Sequence, residues 1–143
     1  MGIEIESMTI QDYDEVYDLW KNSEGIGLSD ADSRDGITNF LERNPDLSFV
    51  ARDGGQLVGA ALCGHDGRRG YIHHLAVAKS HRRQGIGRSL VGRCMFALMR
   101  IGIPKCHLFV FGDNEEAIEF WQKVGWTERV ELMMMSQQLA GDS

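Results

Sequence analysis

The sequence predicts an α+β fold in which about four helices pack on a mixed, mostly antiparallel twisted sheet of six to seven strands. Three observations predict this class. Strand and helix patterns follow one another in the order β-α-α-β-β-β-α-β-α-β. Short polar turns join three consecutive strand patterns, which is typical of an antiparallel meander. A later strand follows a crossover helix, which favours a parallel pair. The length fits one domain, residues 1–143.

The first part of the chain predicts one strand, two helices and a loop. Residues 3–8 alternate apolar and charged side chains, which indicates a half-buried strand. Thr9 begins a helix, with Asp12 three residues later in the manner of a capping box. The glycine-rich, acidic residues 22–32 form a loop that either lines a substrate pocket or is a plain connection. A second helix follows and ends before Pro45.

The middle of the chain predicts the meander. Residues 47–52 and 57–65 are rich in β-forming side chains, and the Asp-Gly-Gly-Gln segment between them is a hairpin signal. A second polar turn, residues 66–70, leads into the next strand, residues 71–77. This third strand of the meander runs directly into a basic turn that contains glycine.

A helix over residues 85–101 follows the basic turn. Residues 105–111 are then dense in β-forming side chains and predict a strand. Because this strand follows a crossover helix, we expect it to lie parallel to residues 71–77.

The end of the chain predicts a helix and a strand. Asp113 or Asn114 caps the helix and Gly125 ends it. Residues 126–138 supply the last strand. Its apolar run Leu132–Met135 either lies in the core or pairs across a homodimer.

Composition limits the class of protein. Hydrophobic residues make up 43% and charged residues 25% of the chain, as in ordinary soluble globular proteins. The net charge of -6 argues against general nucleic-acid binding. We expect no signal peptide, because the first residues lack a basic region followed by a long apolar run, and no membrane span, because no apolar run approaches ~20 residues. The three cysteines form no CxxC pair and indicate reduced thiols in a cytoplasmic protein, with Cys63 and Cys94 buried.

The segment Tyr71–Leu90 carries the clearest functional signal. A strand, a basic turn with Gly85 and Gly87, and the start of a helix follow one another. A helix N-terminus offers unpaired N–H groups and partial positive charge, which suit a phosphate. The turn lacks the patterns of a P-loop and of a dinucleotide fingerprint. It is therefore a phosphate-binding turn of another kind or a solvated surface turn.

Two motifs resemble those of one family. Leu75-Ala76-Val77 followed by Arg82-x-x-Gly85-x-Gly87 is similar to the Q/R-x-x-G-x-G/A motif of the GNAT superfamily of acetyl-CoA-dependent N-acetyltransferases. Residues 113–126, DNEEAIEFWQKVGW, resemble its N-x-x-A-x-x-F-Y-x-K-x-G-F motif. With the order of elements, the resemblance covers nearly the whole chain. It implies that the strands at 71–77 and 105–111, a parallel pair, splay apart.

The resemblance also implies acetyl-CoA as co-substrate and assigns its contacts. The backbone of Leu75 and Val77 would pair with the pantetheine arm, and an N–H group near Leu75–Ala76 would stabilise the oxyanion. Asn114 would contact the pantetheine or the far end of the cofactor, and Trp121 would pack beside the pantetheine. The turn that would hold the pyrophosphate of CoA comprises Arg82, Arg83, Gln84, Gly85, Ile86, Gly87 and Arg88.

A proton acceptor is needed because a typical alkyl amine, with a pKa near ~10, is mostly protonated at neutral pH. His73 is the candidate, since the usual pKa of histidine, ~6.5, suits this role. Regular alternation places His73 on the face of Leu75 and His74 on the opposite face. His73-x-Leu75-Ala76-Val77 also resembles the arylalkylamine N-acetyltransferases, where a histidine at this place lies on the proton path. Alternatively, both are half-exposed sheet residues without a role, and since they diverge we expect no zinc site.

One departure from the family pattern concerns the proton for the departing thiolate. Trp121 stands where the family often has a tyrosine that protonates this group, and an indole N–H is too weak an acid. Water or Tyr71 would then supply the proton.

Alternatively, the protein is a non-catalytic acyl-CoA-binding sensor, or a nucleotide-binding module. The acceptor amine is a small molecule or a protein amine, and Glu24, Asp30 and Asp32 would weakly attract a cationic one.

Overall fold

The structure is a computed structural model that describes residues 2–140. The predicted domain limits, residues 1 and 143, lie outside the described residues. The helices are α1 Tyr13–Lys21, α2 Arg34–Arg43, α3 Ile86–Arg100 and α4 Glu115–Lys123. The strands are β1 Ile3–Ser7, β2 Phe49–Asp53, β3 Gln56–His65, β4 Gly70–Val77 and β5 Cys106–Leu108. Short 3₁₀ turns lie at Ile10–Asp12, Asp30–Asp32 and Lys79–His81.

The strands form one sheet in the order β1-β2-β3-β4-β5. Neighbouring strands are antiparallel from β1 to β4, and β4 and β5 are parallel, so the predicted meander and parallel pair are confirmed. The parallel pairing joins Gly70–Ile72 to Cys106–Leu108, whereas β4 continues to Val77. A gap therefore begins beside β4 after Ile72.

The prediction of six to seven strands is wrong, because the described residues form five. The strand expected over 105–111 covers only Cys106–Leu108, and the strand expected over 126–138 does not form in the part of the chain that the structure describes. Strand propensity stabilises a strand only when its side chains pack against neighbours. Met133 and Met135 are 85% and 86% exposed. The expectation that this run lies in the core is therefore wrong, and pairing across a homodimer stays a prediction.

The helices cover the two faces of the sheet. Helices α3 and α4 pack on one face, where Leu90, Cys94 and Leu98 of α3 are buried. Helices α1 and α2 pack on the other face, around Val16, Trp20 and Ile37. Cys63 is also fully buried, so the burial predicted for it and Cys94 is confirmed.

Local signals fix the helix ends. The Thr9 N–H donates to the Asp12 carboxylate at 2.9 Å, which confirms the predicted capping box, although the first turn is 3₁₀ and α1 begins at Tyr13. Asn114 rather than Asp113 caps α4, since its Oδ1 accepts a hydrogen bond from the Ala117 N–H at 3.2 Å. None of the helices within residues 2–140 has the length and apolar character needed to cross a bilayer.

Candidate active site

The edge of β4 that extends beyond β5 presents backbone groups to the gap that begins after Ile72. The Ala78 N–H donates to the Val58 carbonyl at 2.8 Å, and antiparallel partners alternate between hydrogen-bonded and non-hydrogen-bonded pairs. Counting back along the register, His74 and Ala76 bond to β3, whereas Leu75 and Val77 fall in non-hydrogen-bonded pairs. Leu75 and Val77 therefore direct their N–H and carbonyl groups towards the gap.

A β-bulge interrupts β4 at His73. Leu62 pairs with His74 and Cys63 with Ile72, so β4 has one extra residue at this point. A bulge breaks the alternation of side chains. Both imidazoles consequently contact the α1/α2 layer.

Ring contacts establish this placement. The ring of His73 lies edge-on to Phe40, with centroids 5.4 Å apart, and that of His74 lies 4.7 Å from Trp20. Leu75 packs instead with the α3 side of the core. The prediction that His73 shares the face of Leu75 and that His74 points away from His73 is therefore wrong. Its cause is the bulge, which pattern reading treats as a regular strand.

His73 is accessible and tends to stay neutral. Its ring is partly open to solvent and stacks on Tyr71, with centroids 6.1 Å apart. The surrounding protein desolvates the imidazole and lowers its pKa below the usual value; the positive charge of His74 lowers it further, and Asp32 opposes the shift. A neutral imidazole can accept a proton.

His74 is nearly buried and is paired with a carboxylate. Its Nε2 lies 2.9 Å from Oδ1 of Asp32, and the side chains are 12% and 8% exposed. Burial alone would raise the pKa of Asp32, but the hydrogen bond and charge of His74, together with the Ser29 N–H and the charge of His73, outweigh it and lower the pKa. Sequence reasoning placed Asp32 in a loop as a possible acceptor contact and missed this pair. The two residues are 42 positions apart, so no local pattern signals their contact.

The basic turn lies at the end of β4 and has an unusual backbone. Arg83 and Gly85 have φ angles of 66° and 83°, and α3 begins directly after them. A Cβ on Gly85 would meet nothing within 4 Å, so the space in front of the helix N-terminus is free. The Arg82 Nε–H donates to the Val77 carbonyl at 3.0 Å, which connects the turn to the edge of β4. The turn and the gap thus form one continuous surface.

The remaining residues of the turn differ in their surroundings. Arg82, Arg83, Gln84 and Arg88 are exposed, and the Ile86 side chain is buried in the core. A Cβ on Gly87 would lie 3.3 Å from the Phe120 ring and 3.7 Å from Val77. Gly87 therefore allows the close approach of α4, whereas Gly85 permits the turn itself.

Two further residues that the sequence assigns to the cofactor site lie at or in helix α4. Asn114 caps the helix and lies against Gly25 of the α1–α2 connection. Trp121 is 9% exposed and contacts the rings of Phe120 and Trp126 at centroid distances of 5.1 and 5.2 Å. Trp121 is thus a packing residue of the core, and its contact with a pantetheine arm stays a prediction.

Comparison with known proteins agrees with this architecture. The family model described as the acetyltransferase (GNAT) family matches residues 13–126. The chain belongs to the acetyltransferase (GNAT) family. Membership confirms the prediction of an N-acetyltransferase with acetyl-CoA as co-substrate.

Relatives of this acetyltransferase match it from end to end. An acetyltransferase of Sodalis glossinidius is 31% identical over 140 residues, and the match covers 98% of each chain. An acetyltransferase of Photorhabdus laumondii is 32% identical over 141 residues, again with 98% of each chain covered. The crystal structure of the PaiA N-acetyltransferase from Thermoplasma acidophilum in complex with coenzyme A has a TM-score of 0.79 at 20% identity, covering 89% of this chain and 91% of that one. The last comparison supports the fold.

A second histidine–carboxylate pair of the acetyltransferase lies beside the basic turn. His81 Nε2 is 2.8 Å from Oδ2 of Asp53, and its Nδ1 is 2.7 Å from the Ser80 hydroxyl. The contact joins the 3₁₀ turn that precedes Arg82 to the β2–β3 hairpin.

Proposed function

We propose that this acetyltransferase transfers the acetyl group of acetyl-CoA to a primary amine by direct attack within a ternary complex. The observation that carries the proposal is the gap beside β4, into which Leu75 and Val77 direct their backbone groups. An extended pantetheine arm can pair with such an edge as an added strand does. The gap continues into the basic turn, which is where the pyrophosphate would lie.

The turn suits the pyrophosphate because it combines backbone donors, a helix N-terminus and positive charge. The N–H groups from Arg82 to Arg88 supply the donors, and free space at Gly85 lets the phosphates approach the backbone. Ile86 contributes only its backbone, because its side chain is buried. Ala76, also expected at the cofactor, contributes less, since its backbone groups are directed to β3.

In the proposed reaction the amine nitrogen attacks the thioester carbonyl carbon. The Leu75 N–H, directed into the gap, donates to the carbonyl oxygen as negative charge develops there. His73 accepts the proton that the ammonium form of the acceptor must lose. The C–S bond then breaks, the nitrogen gives up its remaining excess proton to solvent as the amide forms on the acceptor, and the CoA thiolate leaves. Water or Tyr71 protonates the thiolate, because Trp121 is a core residue.

The acceptor approaches from the α1/α2 side in this scheme. Both histidines lie on that face, whereas the basic turn lies at the end of β4. The two substrates would therefore occupy different parts of the surface around β4 and could be bound at the same time, as direct transfer requires.

The test is the release of free CoA thiol from acetyl-CoA with a panel of amines. The panel contains spermidine, phenethylamine, a peptide with a free N-terminus and a lysine-containing peptide with a blocked N-terminus. Amine-dependent CoA release, with a matching mass increase of the amine, supports transfer. Tight binding of acetyl-CoA in calorimetry without turnover on any amine refutes direct transfer as proposed.

One observation favours a second function, a non-catalytic acyl-CoA-binding domain. Trp121 replaces the usual proton donor and is buried, so α4 offers no acid at this position. The same panel distinguishes the two functions, since the binding domain predicts affinity without turnover. Competition by ATP, with no gain in affinity from the acyl arm, would instead indicate a nucleotide-binding module.

A further inference from the structure

Asp32 connects the α1–α2 connection, residues 22–33, to strand β4. The residue is 6% exposed. Its Oδ2 accepts a hydrogen bond from the Ser29 N–H at 3.1 Å, while its Oδ1 lies 2.9 Å from His74 Nε2. The Tyr13 hydroxyl donates to its backbone carbonyl at 2.7 Å. A buried carboxylate needs such partners, so the position of this segment depends on His74.

The same connection reaches the far side of the gap. A Cβ on Gly25 would overlap the amide of Asn114, and one on Gly27 would meet the Phe111 ring at 3.5 Å. A surface depression of about 260 Å³ lies between this part of the connection and the start of α4. Residues 22–33 therefore form a wall across the α1/α2 side of the gap, attached to β4 through Asp32.

His74 also determines where its neighbour points. The contacts of the neighbouring residues determine where the extra residue of a bulge lies. If β4 shifted by one residue relative to β3, the side chains that face the α1/α2 layer and those that face the α3/α4 layer would exchange places. His74 is held by Asp32 and by the Trp20 ring, 4.7 Å away. With His74 fixed in this way, the His73 ring lies edge-on to Phe40 of α2.

We propose that Asp32 and His74 are a positioning pair for acetyl transfer, which holds the 22–33 wall and His73 in the arrangement that receives the acceptor amine. The proposal rests on the proposed function. The pair acts through its neighbours, because the His74 side chain is only 12% exposed.

The kinetic test compares this pair with the second histidine–carboxylate pair. Asp32→Asn and His74→Ala are measured beside Asp53→Asn, which alters the contact at 2.8 Å on the other side of the site. The amine is the member of the panel that gives turnover. Because small displacements of reacting groups are costly, Asp32→Asn and His74→Ala should lower kcat/KM for the amine by about ten- to a hundredfold. The KM for acetyl-CoA should not change in these two variants, whereas Asp53→Asn should change it.

Two further variants test whether the residues act as a unit. The double variant Asp32→Asn/His74→Ala should lose no more activity than the worse single variant, since both substitutions weaken the same contact. His74→Gln should retain more activity than His74→Ala, because a glutamine amide can still donate to Asp32. Equal effects of all variants on thermal stability, with an unchanged kcat/KM for the amine, would show a structural role only and overturn the proposal.

A measurement without turnover separates this proposal from the proposed function. In hydrogen–deuterium exchange on the full chain, Asp32→Asn and His74→Ala should speed the exchange of residues 22–33, and Asp53→Asn should not. Unchanged exchange in this segment would overturn the positioning pair even if acetyl transfer is confirmed. Faster exchange in a protein that turns over no amine would leave the attachment of the wall supported and refute the proposed transfer.

Discussion

Gly85→Ala tests whether the shape of the basic turn determines acetyl-CoA binding. Gly85 has a φ of 83°, and a Cβ there would meet nothing within 4 Å. The substitution therefore changes backbone energy without a clash. A non-glycine residue in the left-handed region costs roughly 1–2 kcal/mol. The exposed turn can relax to avoid this cost in the free protein, and binding must then restore the original shape. Since 1.4 kcal/mol is a factor of ten, the Kd for acetyl-CoA should rise about five- to thirtyfold.

The assay is calorimetric titration with acetyl-CoA, with two control variants. Gly67→Ala places the same side chain at a φ of 97° in the β3–β4 turn, also in free space, so it should lower stability and leave the Kd unchanged. Gly85→Asn should retain more affinity than Gly85→Ala, because asparagine tolerates the left-handed region. An unchanged Kd in Gly85→Ala, or an equal rise in Gly67→Ala, would refute the assignment of the turn.

Three further predictions concern chemistry and stability. His73→Ala should lower kcat and remove the acid limb from the pH profile of kcat/KM. In the parent protein this limb should lie below pH 6.5, because the pKa of His73 is lowered. An unaltered profile would show that another group is the base. Leu90→Ala should lower the free energy of unfolding by about 3–5 kcal/mol in urea titrations, since Leu90 is fully buried, whereas exposed Ser89→Ala should have little effect. The lowered pKa of Asp32 stabilises the fold above the unfolded-state value near 3.8, and the gain is lost as pH falls through the folded-state pKa. The stability difference between parent and Asp32→Asn should therefore shrink as the pH falls below about 5; a difference that grew in acid would contradict this sign.

Local signals account for the parts of the fold that the sequence predicted correctly. The hairpin at Asp53, the capping box at Thr9 and the cap at Asn114 each depend on a few consecutive residues. The same holds for the turn around Gly85, whose positive φ follows from the residue type. Such features need no knowledge of which strands pair.

Features that depend on the exact register between strands, or on the packing of distant residues, were missed. The bulge at His73 exists because β3 and β4 contribute different numbers of residues between two paired positions, and neither strand signals this alone. The strand predicted over residues 126–138 does not form in the described part of the chain for a related reason. Residues 130–135 carry apolar side chains, but these remain exposed, so propensity had no packing to support it.

The same difference between local and long-range features separates the two parts of the candidate site. The proposed cofactor side consists of backbone on one continuous segment, from Leu75 to Arg88, and a motif can therefore locate it. The proposed acceptor side depends on Asp32, His74 and the 22–33 wall, which are joined to β4 and α4 through contacts between distant parts of the chain. A shared cofactor requires the first arrangement in any acetyltransferase of this kind, whereas each acceptor requires its own second arrangement. The acceptor is therefore to be sought through the contacts that hold the wall, beginning with Asp32 and His74.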